Sequence, residues 1–346
     1  MVALRFKFYT TSGKAWAGML TAISLARKSI CLEMYIFEAD THGYNFLSEL
    51  ERKAREGVKV VLLLDAVGSF RLGNIAIDRL RVAGAEVLFY SHWFSRTHRK
   101  ILIIDEYTVF LGGVNISHRF APWSDLQLRL SGKSIAQSAL TSFVKVYRAT
   151  GGRDPWILKD RPMRPLTRAK LWFIEHGLRG KRDALKKYYE EHINNAHESI
   201  VLATPYFIPR RWLIAHLHSA LLRGVQVEII IPKQTDHPIV DRISYRFLSL
   251  FKDMGAVCLL NPHMNHAKAM LIDGKDGIVG SHNLDALSFE RNVEGAVFFN
   301  GKHMTEELAG IMNEWKNKSQ PLEDTPTYHW YDAFITLLLP FFESVL

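Results

Sequence analysis

Cysteine is nearly absent: of 346 residues only Cys31 and Cys258 carry thiols, each inside an apolar, strand-like run. With no CxxC pair, a cysteine metal site is excluded, and buried free thiols in a reducing compartment are expected in place of a disulfide. No stretch of about 18 uncharged apolar residues occurs, which argues against a spanning helix. The first thirty residues lack a continuous apolar segment, because Lys14, Arg27 and Lys28 interrupt it, so no secretory signal is expected. Acids are outnumbered, 35 against 44 Lys and Arg, leaving a formal charge of +9. Such a balance asks for an anionic partner without choosing between nucleic acid and an anionic membrane surface. What is present is ordinary for a globular protein, 48% hydrophobic and 23% charged residues, and the length suits about two domains.

The chain repeats itself. Ile30–Phe37, a helix-like Asn45–Arg55, Gly57–Asp65 and Gly84–Tyr90 return in the same order as Ile200–Phe207, a helix-like Arg211–Arg223, Gly224–Pro232 and Gly255–Leu260, at a nearly constant offset. Glycine-opened apolar strands alternating with helical stretches describe a duplicated α/β unit, each copy a mixed, largely parallel sheet flanked by helices, the two packed about a pseudo-twofold axis. The expected organisation is a first α/β domain over 1–152, a connector over 153–187, a second α/β domain over 188–318 and an apolar tail over 319–346. The connector holds eleven Lys or Arg against four acids, with Trp156, Trp172 and Phe173 among them. Cations beside aromatics suit a bilayer surface or a nucleic-acid backbone, and a solvated linker is the plainer reading. The tail, aromatic at Tyr328–Tyr331 and apolar beyond, is broken by Asp332, Pro340 and Glu343, so it either packs as a terminal helix or lies in a membrane interface.

Each half closes on one motif, His98-x-Lys100-x4-Asp105 and His266-x-Lys268-x4-Asp273. A glycine turn and an asparagine follow in both, Gly112-Gly113-Val114-Asn115 and Gly280-Ser281-His282-Asn283, and then an acid, Asp125 and Glu294. The two asparagines stand at the same separation from their histidines, and the separations of the two acids differ by a single position. A single HxK in an apolar strand means little; the same spacing of polar positions twice over points to catalysis. Strand alternation puts His98 and Lys100 on one face, and His266 and Lys268 likewise. Pairing the halves therefore gathers two imidazoles and two ammonium groups into one cavity.

With no Gly-x4-Gly-Lys-Ser/Thr loop and no carboxylate cluster of metal-ligand type, the natural guest of such a cavity is a phosphodiester. Lys100, Lys268, Asn115 and Asn283 can hold the non-bridging oxygens and stabilise a five-coordinate transition state. One neutral histidine can attack phosphorus while the other, protonated, gives its proton to the leaving alkoxide. Asp125 and Glu294 would orient the imidazoles. The aspartates of the motif, Asp105 and Asp273, complete the catalytic set of six, with a role expected in ending the strand and accepting hydrogen bonds more than in touching substrate. No metal or cofactor is required by this chemistry.

These residues resemble the phospholipase D superfamily, whose duplicated HKD motif is matched in both halves. The resemblance covers roughly residues 15 to 300. Within that superfamily it is similar to the bacterial cardiolipin synthases, through Gly57-Val-Lys-Val, Asp65, Gly68-Ser69, the first motif with its Gly112-Gly113-Val-Asn115, Thr204-Pro-Tyr-Phe-Ile-Pro209 and Asp236-His237-Pro238. The resemblance implies a phosphatidyl-histidine on His98, with His266 as general acid and then base, and cross-support of His98 by Glu294 and of His266 by Asp125. It implies phospholipid substrates, transfer of a phosphatidyl group from phosphatidylglycerol or phosphatidylethanolamine to a hydroxyl of phosphatidylglycerol, and a peripheral place on the cytoplasmic side of the membrane. Two departures stand out. Gly113 replaces a serine common in the family, while Ser281 keeps it, and a shorter form without the N-terminal membrane helices of some cardiolipin synthases is expected. Membrane contact would then fall to the connector, the tail, and Trp93 and Phe94. The competing expectation is a phosphodiester hydrolase of the same superfamily, a nuclease or a phospholipase D, for which a +9 chain is equally suited.

Overall fold

The computed structural model describes residues 5–41, 43–92, 95–159, 171–177 and 183–323. The first half contributes strands β1 (Arg5–Thr11), β2 (Ser29–Met34), β3 (Lys59–Asp65), β4 (Glu86–Tyr90), β5 (Lys100–Ile104), β6 (Thr108–Gly112) and β7 (Ser124–Ser131). Its helices are α1 (Ser12–Ser24), α2 (Phe46–Arg55), α3 (Asn74–Val82), α4 (Lys133–Ala149) and the short α5 (Pro155–Leu158). The second half has β8 (Leu171–His176), β9 (Ser199–Ala203), β10 (Gln226–Pro232), β11 (Val257–Asn261), β12 (Ala269–Ile272), β13 (Asp276–Gly280), β14 (Glu294–Phe299) and β15 (Gln320–Pro321). Its helices are α6 (Ala184–Asn194), α7 (Arg211–Leu222), α8 (Pro238–Asp253), α9 (Ala286–Glu290) and α10 (Lys302–Lys318).

Glycines time the repeat. Gly57, Gly84, Gly224 and Gly255 follow α2, α3, α7 and α8 with φ of 82°, 98°, 85° and 96°, the left-handed stop that lets the chain turn at once into the next strand. The strand orders are β1-β7-β6-β5-β2-β3-β4 and β15-β11-β10-β9-β12-β13-β14-β8. Read in opposite senses they superpose strand for strand, with β15 an extra edge. The sheets are mixed, as expected, but not largely parallel. Only β2-β3-β4 and β9-β10-β11 run parallel, joined by helical crossovers, and every other pairing is antiparallel. The tight turns after the two motifs make hairpins of β5-β6 and β12-β13, and a hairpin can only be antiparallel.

The stretch 153–187, expected as a connector, is partly built into the core. β8 pairs along β14, as β1 pairs along β7, so it is the second copy's first strand. Trp156 and Phe173, read as aromatics for an external surface, pack against the buried cluster between the sheets. Trp93, Phe94, most of the cation run and residues 324–346 of the tail lie outside the described residues. Of the tail's start, Gln320 and Pro321 pair with β11, and Leu322 is buried.

Both faces of each sheet are covered, which explains why β3 (Lys-Val-Val-Leu-Leu-Leu-Asp) reads as a continuous apolar run and β10 as one interrupted only by Glu228, which pairs with Lys316. The outer faces take α1–α3 and α6–α8. The inner faces meet in one cluster that joins Ile101, Ile103 and Leu111 to Leu271, Val279 and Val297, with Phe143 of α4 and Trp315 of α10. Burying each such side chain stabilises by about 1.5–3 kcal/mol, so this seam holds the halves in a fixed relation. Cys31 and Cys258 are buried free thiols. Among the described residues, no helix is long and apolar enough to cross a membrane.

Candidate active site

The seam is also stitched by backbone. Thr97 bridges to Val293, and Ser124 bridges to Asn265. The bridges are related by the pseudo-twofold: His98 N donates to Val293 O at 3.0 Å and Val293 N to Arg96 O at 2.8 Å, while His266 N donates to Ser124 O at 2.8 Å and Ser124 N to Met264 O at 3.1 Å. Each histidine is thereby clamped beside the acid of the opposite half. His98 Nδ1 lies 2.9 Å from Glu294 Oε1, and His266 Nδ1 lies 2.8 Å from Asp125 Oδ2. These are the cross-pairs that the resemblance implies, each joining positions far apart in the sequence.

All four groups are buried, as are both lysines. Lys100 Nζ donates to His98 O at 2.6 Å and Lys268 Nζ to His266 O at 2.5 Å, so each ammonium folds back beside its own histidine. Burial pushes Lys100 well below the usual ammonium range, the Glu294 charge opposing it, and lowers Lys268 to about 8, against Asp125 and Glu294. Burial also lowers both imidazoles; for His98 the Glu294 carboxylate opposes this, and for His266 the two lysines and His98 add to it.

The two acids differ. Burial pushes Glu294 up, but the hydrogen-bonded contact with His98, the Lys100 charge and the Ser281 hydrogen bond outweigh it and hold the carboxyl at about 2. Burial dominates at Asp125 and, against the pull of Lys268, raises it to about 7. The serine–glycine difference underlies part of this. Ser281 Oγ donates to Glu294 Oε2, whereas a Cβ at Gly113 would lie 2.1 Å from Asp125 Oδ1. Asp125 Oδ1 instead accepts from Leu126 N at 2.7 Å.

The two asparagines differ in their contacts. Asn115 Oδ1 accepts from Ile36 N at 3.2 Å, and Trp16 Nε1 donates to Asn115 O at 2.9 Å. Asn283 N donates to Ser288 Oγ at 2.9 Å, and its buried Oδ1 has no hydrogen-bond donor among the described residues. Asp105 and Asp273 do not join this cavity. They sit past the far ends of β5 and β12, about 16 Å along the strand from the lysines. Asp105 accepts from Arg27 N, Lys28 N and Ser29 N at 2.9, 2.7 and 2.9 Å. Asp273 accepts from His197 N, Glu198 N and Ser199 N at 3.0, 2.8 and 2.9 Å. Both adopt positive φ, 52° and 50°, which Asp tolerates. They fasten the turn before β2 or β9 to the hairpin that carries the motif.

Several neighbours escape a reading of the motifs. Tyr35 stands edge-on to His98, ring centroids 4.8 Å apart, and Lys100 Nζ lies 5.0 Å from its centroid. Trp123 and Tyr206 flank His266 at 5.3 and 6.5 Å, and Tyr206 OH donates to Asp236 Oδ1 at 2.6 Å. Tyr206 and Asp236 lie in two of the segments that carry the resemblance, without a role read for them there; the signal of Tyr35 and Trp123 is position, next to the end of a strand or to a motif acid. Arg99, between His98 and Lys100, is wholly buried and paired with Glu33, Nη2 to Oε2 2.5 Å, with Thr97 Oγ1 donating to the same carboxylate. Ala267 occupies the corresponding place in the second half, so this ion pair braces the first histidine alone.

The geometry thus comprises two imidazoles oriented by carboxylates through Nδ1, with two ammonium groups beside them, contributed equally by two halves. A family model described as cardiolipin synthase, PLD-like domain, matches twice, over residues 19–146 and 189–315. The chain belongs to this family. Cardiolipin synthase A of Pseudomonas aeruginosa is 29% identical over 343 residues, covering 93% of this chain and 68% of that protein. Cardiolipin synthase of Oceanobacillus iheyensis is 32% identical over 304 residues, 83% of this chain and 63% of that protein. The chain spans about two thirds of the length of these relatives. In fold it is similar to phosphatidylserine synthase of Haemophilus influenzae, with a TM-score of 0.76 at 16% identity, covering 98% and 93% of the two chains. It is likewise similar to polyphosphate kinase of Porphyromonas gingivalis, with a TM-score of 0.65 at 16% identity, covering 99% and 53%.

Proposed function

We propose that the protein is a cardiolipin synthase, a phosphatidyltransferase that moves a phosphatidyl group from phosphatidylglycerol or phosphatidylethanolamine to a hydroxyl of phosphatidylglycerol through a histidine intermediate. The observation that carries this reading is the pair of cross-domain histidine–carboxylate contacts at 2.9 and 2.8 Å. Glu294, ionised and acceptor-only, keeps the proton of His98 on Nδ1 and leaves the Nε2 lone pair free. Nε2 attacks phosphorus, a P–N bond forms, and the P–O bond to glycerol or ethanolamine breaks. The proton shared by His266 and Asp125 goes to the departing alkoxide. The hydroxyl of the incoming lipid then gives its proton to His266, its oxygen attacks phosphorus, and the P–N bond breaks to restore His98. Lys100 and Lys268, with the amides of Asn115 and Asn283, hold the non-bridging oxygens as charge builds. Asp105 and Asp273 act on this chemistry only through the strands they fasten. The place of work is the cytoplasmic surface of the membrane, met peripherally.

The test is to incubate the protein with phosphatidylglycerol vesicles and, separately, with DNA, and to identify products by mass spectrometry. Diphosphatidylglycerol and released glycerol are expected. Phosphatidic acid alone would make the protein a phospholipase D, and cleaved DNA with no lipid product would make it a nuclease. Labelled phosphatidyl should be trapped on the wild type and lost in His98→Ala; trapping that survives in His98→Ala and fails in His266→Ala reverses the assignment.

A further inference from the structure

Outside the catalytic cavity, the edge of the first sheet carries an open groove of about 620 Å³ between β1, β7 and α1, lined by Lys7, Tyr9, Lys14, Gly18, Thr21 and Arg129 among others. Its charge arrangement has no structural rationale. Lys7 and Arg129 are direct partners across the antiparallel β1–β7 ladder, and like charges facing one another across a ladder destabilise it. Neither of them nor Lys14 forms an ion pair among the described residues. The carboxylate of Glu314, which feels Lys14, is bound to Lys318 at 2.5 Å. In place of counter-charges the cations rest on rings: Lys7 Nζ lies 5.0 Å from the Tyr9 centroid, and the Arg129 guanidinium 5.8 Å from that of Phe110. Tyr9 and Phe110 stack at 6.1 Å. Gly18 is required for the floor, because a Cβ there would lie 2.5 Å from the Tyr9 hydroxyl.

Three cations converging on a groove with an aromatic floor and no acid of their own form a receptor for a phosphate oxyanion. Helix α1, one wall of the groove, also contacts a neighbour of the catalytic His266. Ser12, the first residue of α1, donates to Trp123 O at 3.3 Å, and Trp123 packs 5.3 Å from His266. From Asp125 to Arg129 the strand advances about 13 Å, so a headgroup held in the groove belongs to a different molecule from the one at the histidines.

We propose that this groove binds the phosphate of an anionic phospholipid headgroup, as a docking site separate from the catalytic cavity, and so keeps the mouth against the membrane surface. That a lipid bears the phosphate rests on the phosphatidyl transfer proposed above; the experiment therefore scores binding apart from turnover. The full chain and its Lys7→Gln/Lys14→Gln/Arg129→Gln variant are sedimented with vesicles of phosphatidylglycerol and phosphatidylcholine, and with phosphatidylcholine alone. A charge-matched control, Arg27→Gln/Lys28→Gln/Arg55→Gln, is run beside them. Each cation near an anionic surface contributes about a fivefold factor, so the groove variant should bind phosphatidylglycerol vesicles on the order of 100-fold more weakly. The control should lose at least tenfold less than that.

Relief of the Lys7–Arg129 repulsion should leave the groove variant melting at or above the wild-type temperature, which separates lost binding from lost folding. Turnover of detergent-dispersed phosphatidylglycerol should be unchanged in the variant; absence of turnover in the wild type would sink the enzymatic reading and leave the binding result standing. Equal losses in the two variants would reduce the effect to net charge and overturn the proposal, as would no loss at all. Loss confined to inorganic phosphate, or to duplex DNA, with vesicle binding intact would assign the groove to that ligand and overturn the lipid.

Discussion

Glu294→Gln isolates one term of the proposed mechanism. The carboxylate is buried, accepts from His98 Nδ1 at 2.9 Å and from Ser281 Oγ, and is held ionised at about 2. Glutamine keeps the shape and one acceptor but removes the charge. In the ground state the loss is modest, because His98 is neutral there and a neutral hydrogen bond replaces a charge-assisted one, a difference of about 1 kcal/mol. The transition state is another matter. As Nε2 bonds to phosphorus the ring becomes cationic, and a unit charge about 4 Å from the carboxylate at an effective dielectric near 20 is stabilised by roughly 4 kcal/mol. Phosphoryl-enzyme formation should therefore slow by about 10³-fold, with little change in lipid affinity. The assay is single-turnover trapping of labelled phosphatidyl on the enzyme at saturating lipid, with a thermal melt to show that the variant is folded. Because Glu294 lies near 2, the ratio of rates should stay flat from about pH 5 to 8. A folded variant that forms the intermediate within about threefold of the wild-type rate would refute the assignment of His98 as the nucleophile supported by this charge.

Three further outcomes follow from the same geometry. The His266–Asp125 pair binds a proton that burial holds on up to about 7; the folded value is raised, so the proton is present below and lost as pH rises. The rate of intermediate formation should fall above pH 7, about tenfold per unit, in a pH–rate profile, and Asp125→Asn should abolish that limb. Asp105→Ala removes the acceptor for three backbone N–H groups and places alanine at φ 52°, costing about 2–4 kcal/mol. Melting should drop by several degrees while kcat of the folded enzyme at low temperature changes less than about threefold; loss of kcat with an unchanged melt would restore Asp105 to the catalytic set. Gly113→Ser forces its Cβ onto Asp125 Oδ1, 2.1 Å away, and should slow turnover at least tenfold.

Much of the site is legible in the sequence because its chemistry is written in local spacing. The motif sets His and Lys two positions apart where the chain enters β5 or β12, though the histidines themselves lie just ahead of those strands and not on a strand face as expected, and the duplication demands that the halves meet. Hydrogen bonds between positions so distant in the chain cannot be read that way, and the cross-pairing of Glu294 and Asp125 comes from resemblance. Tyr35 and Trp123 acquire meaning only when strand ends converge, and Arg99 looks like a solvated cation until Glu33 is seen beneath it. β8 is hidden for a different reason. Its sequence, Leu-Trp-Phe-Ile-Glu-His, sits inside a cation-rich run whose charge masks a strand. The parallel share is overestimated from sequence because apolar runs report burial on both faces without reporting direction.

The pseudo-twofold gives each half the same backbone and the same histidine, so the division of labour must come from side chains that break the symmetry. One break is Ser281 with Glu294 against Gly113 with Asp125. A glutamate is one methylene longer than an aspartate, and in the second half that length is met by a serine donor. In the first half the shorter acid crowds the space a serine would need. The outcome is one carboxylate near 2 and one raised to about 7, which in the proposed mechanism puts an anion behind the nucleophile and a proton-holding acid behind the leaving group. If that covariation sets the roles, Gly113→Ser should be rescued by Asp125→Glu, which recreates the second half's arrangement in the first. The double variant should recover most of the turnover lost by Gly113→Ser alone, and its alkaline limb should move, because the acid now behind His266 resembles the one behind His98. Recovery of turnover with the limb unmoved would mean that the Ser–Glu pairing settles packing only, and that the proton is placed by something else.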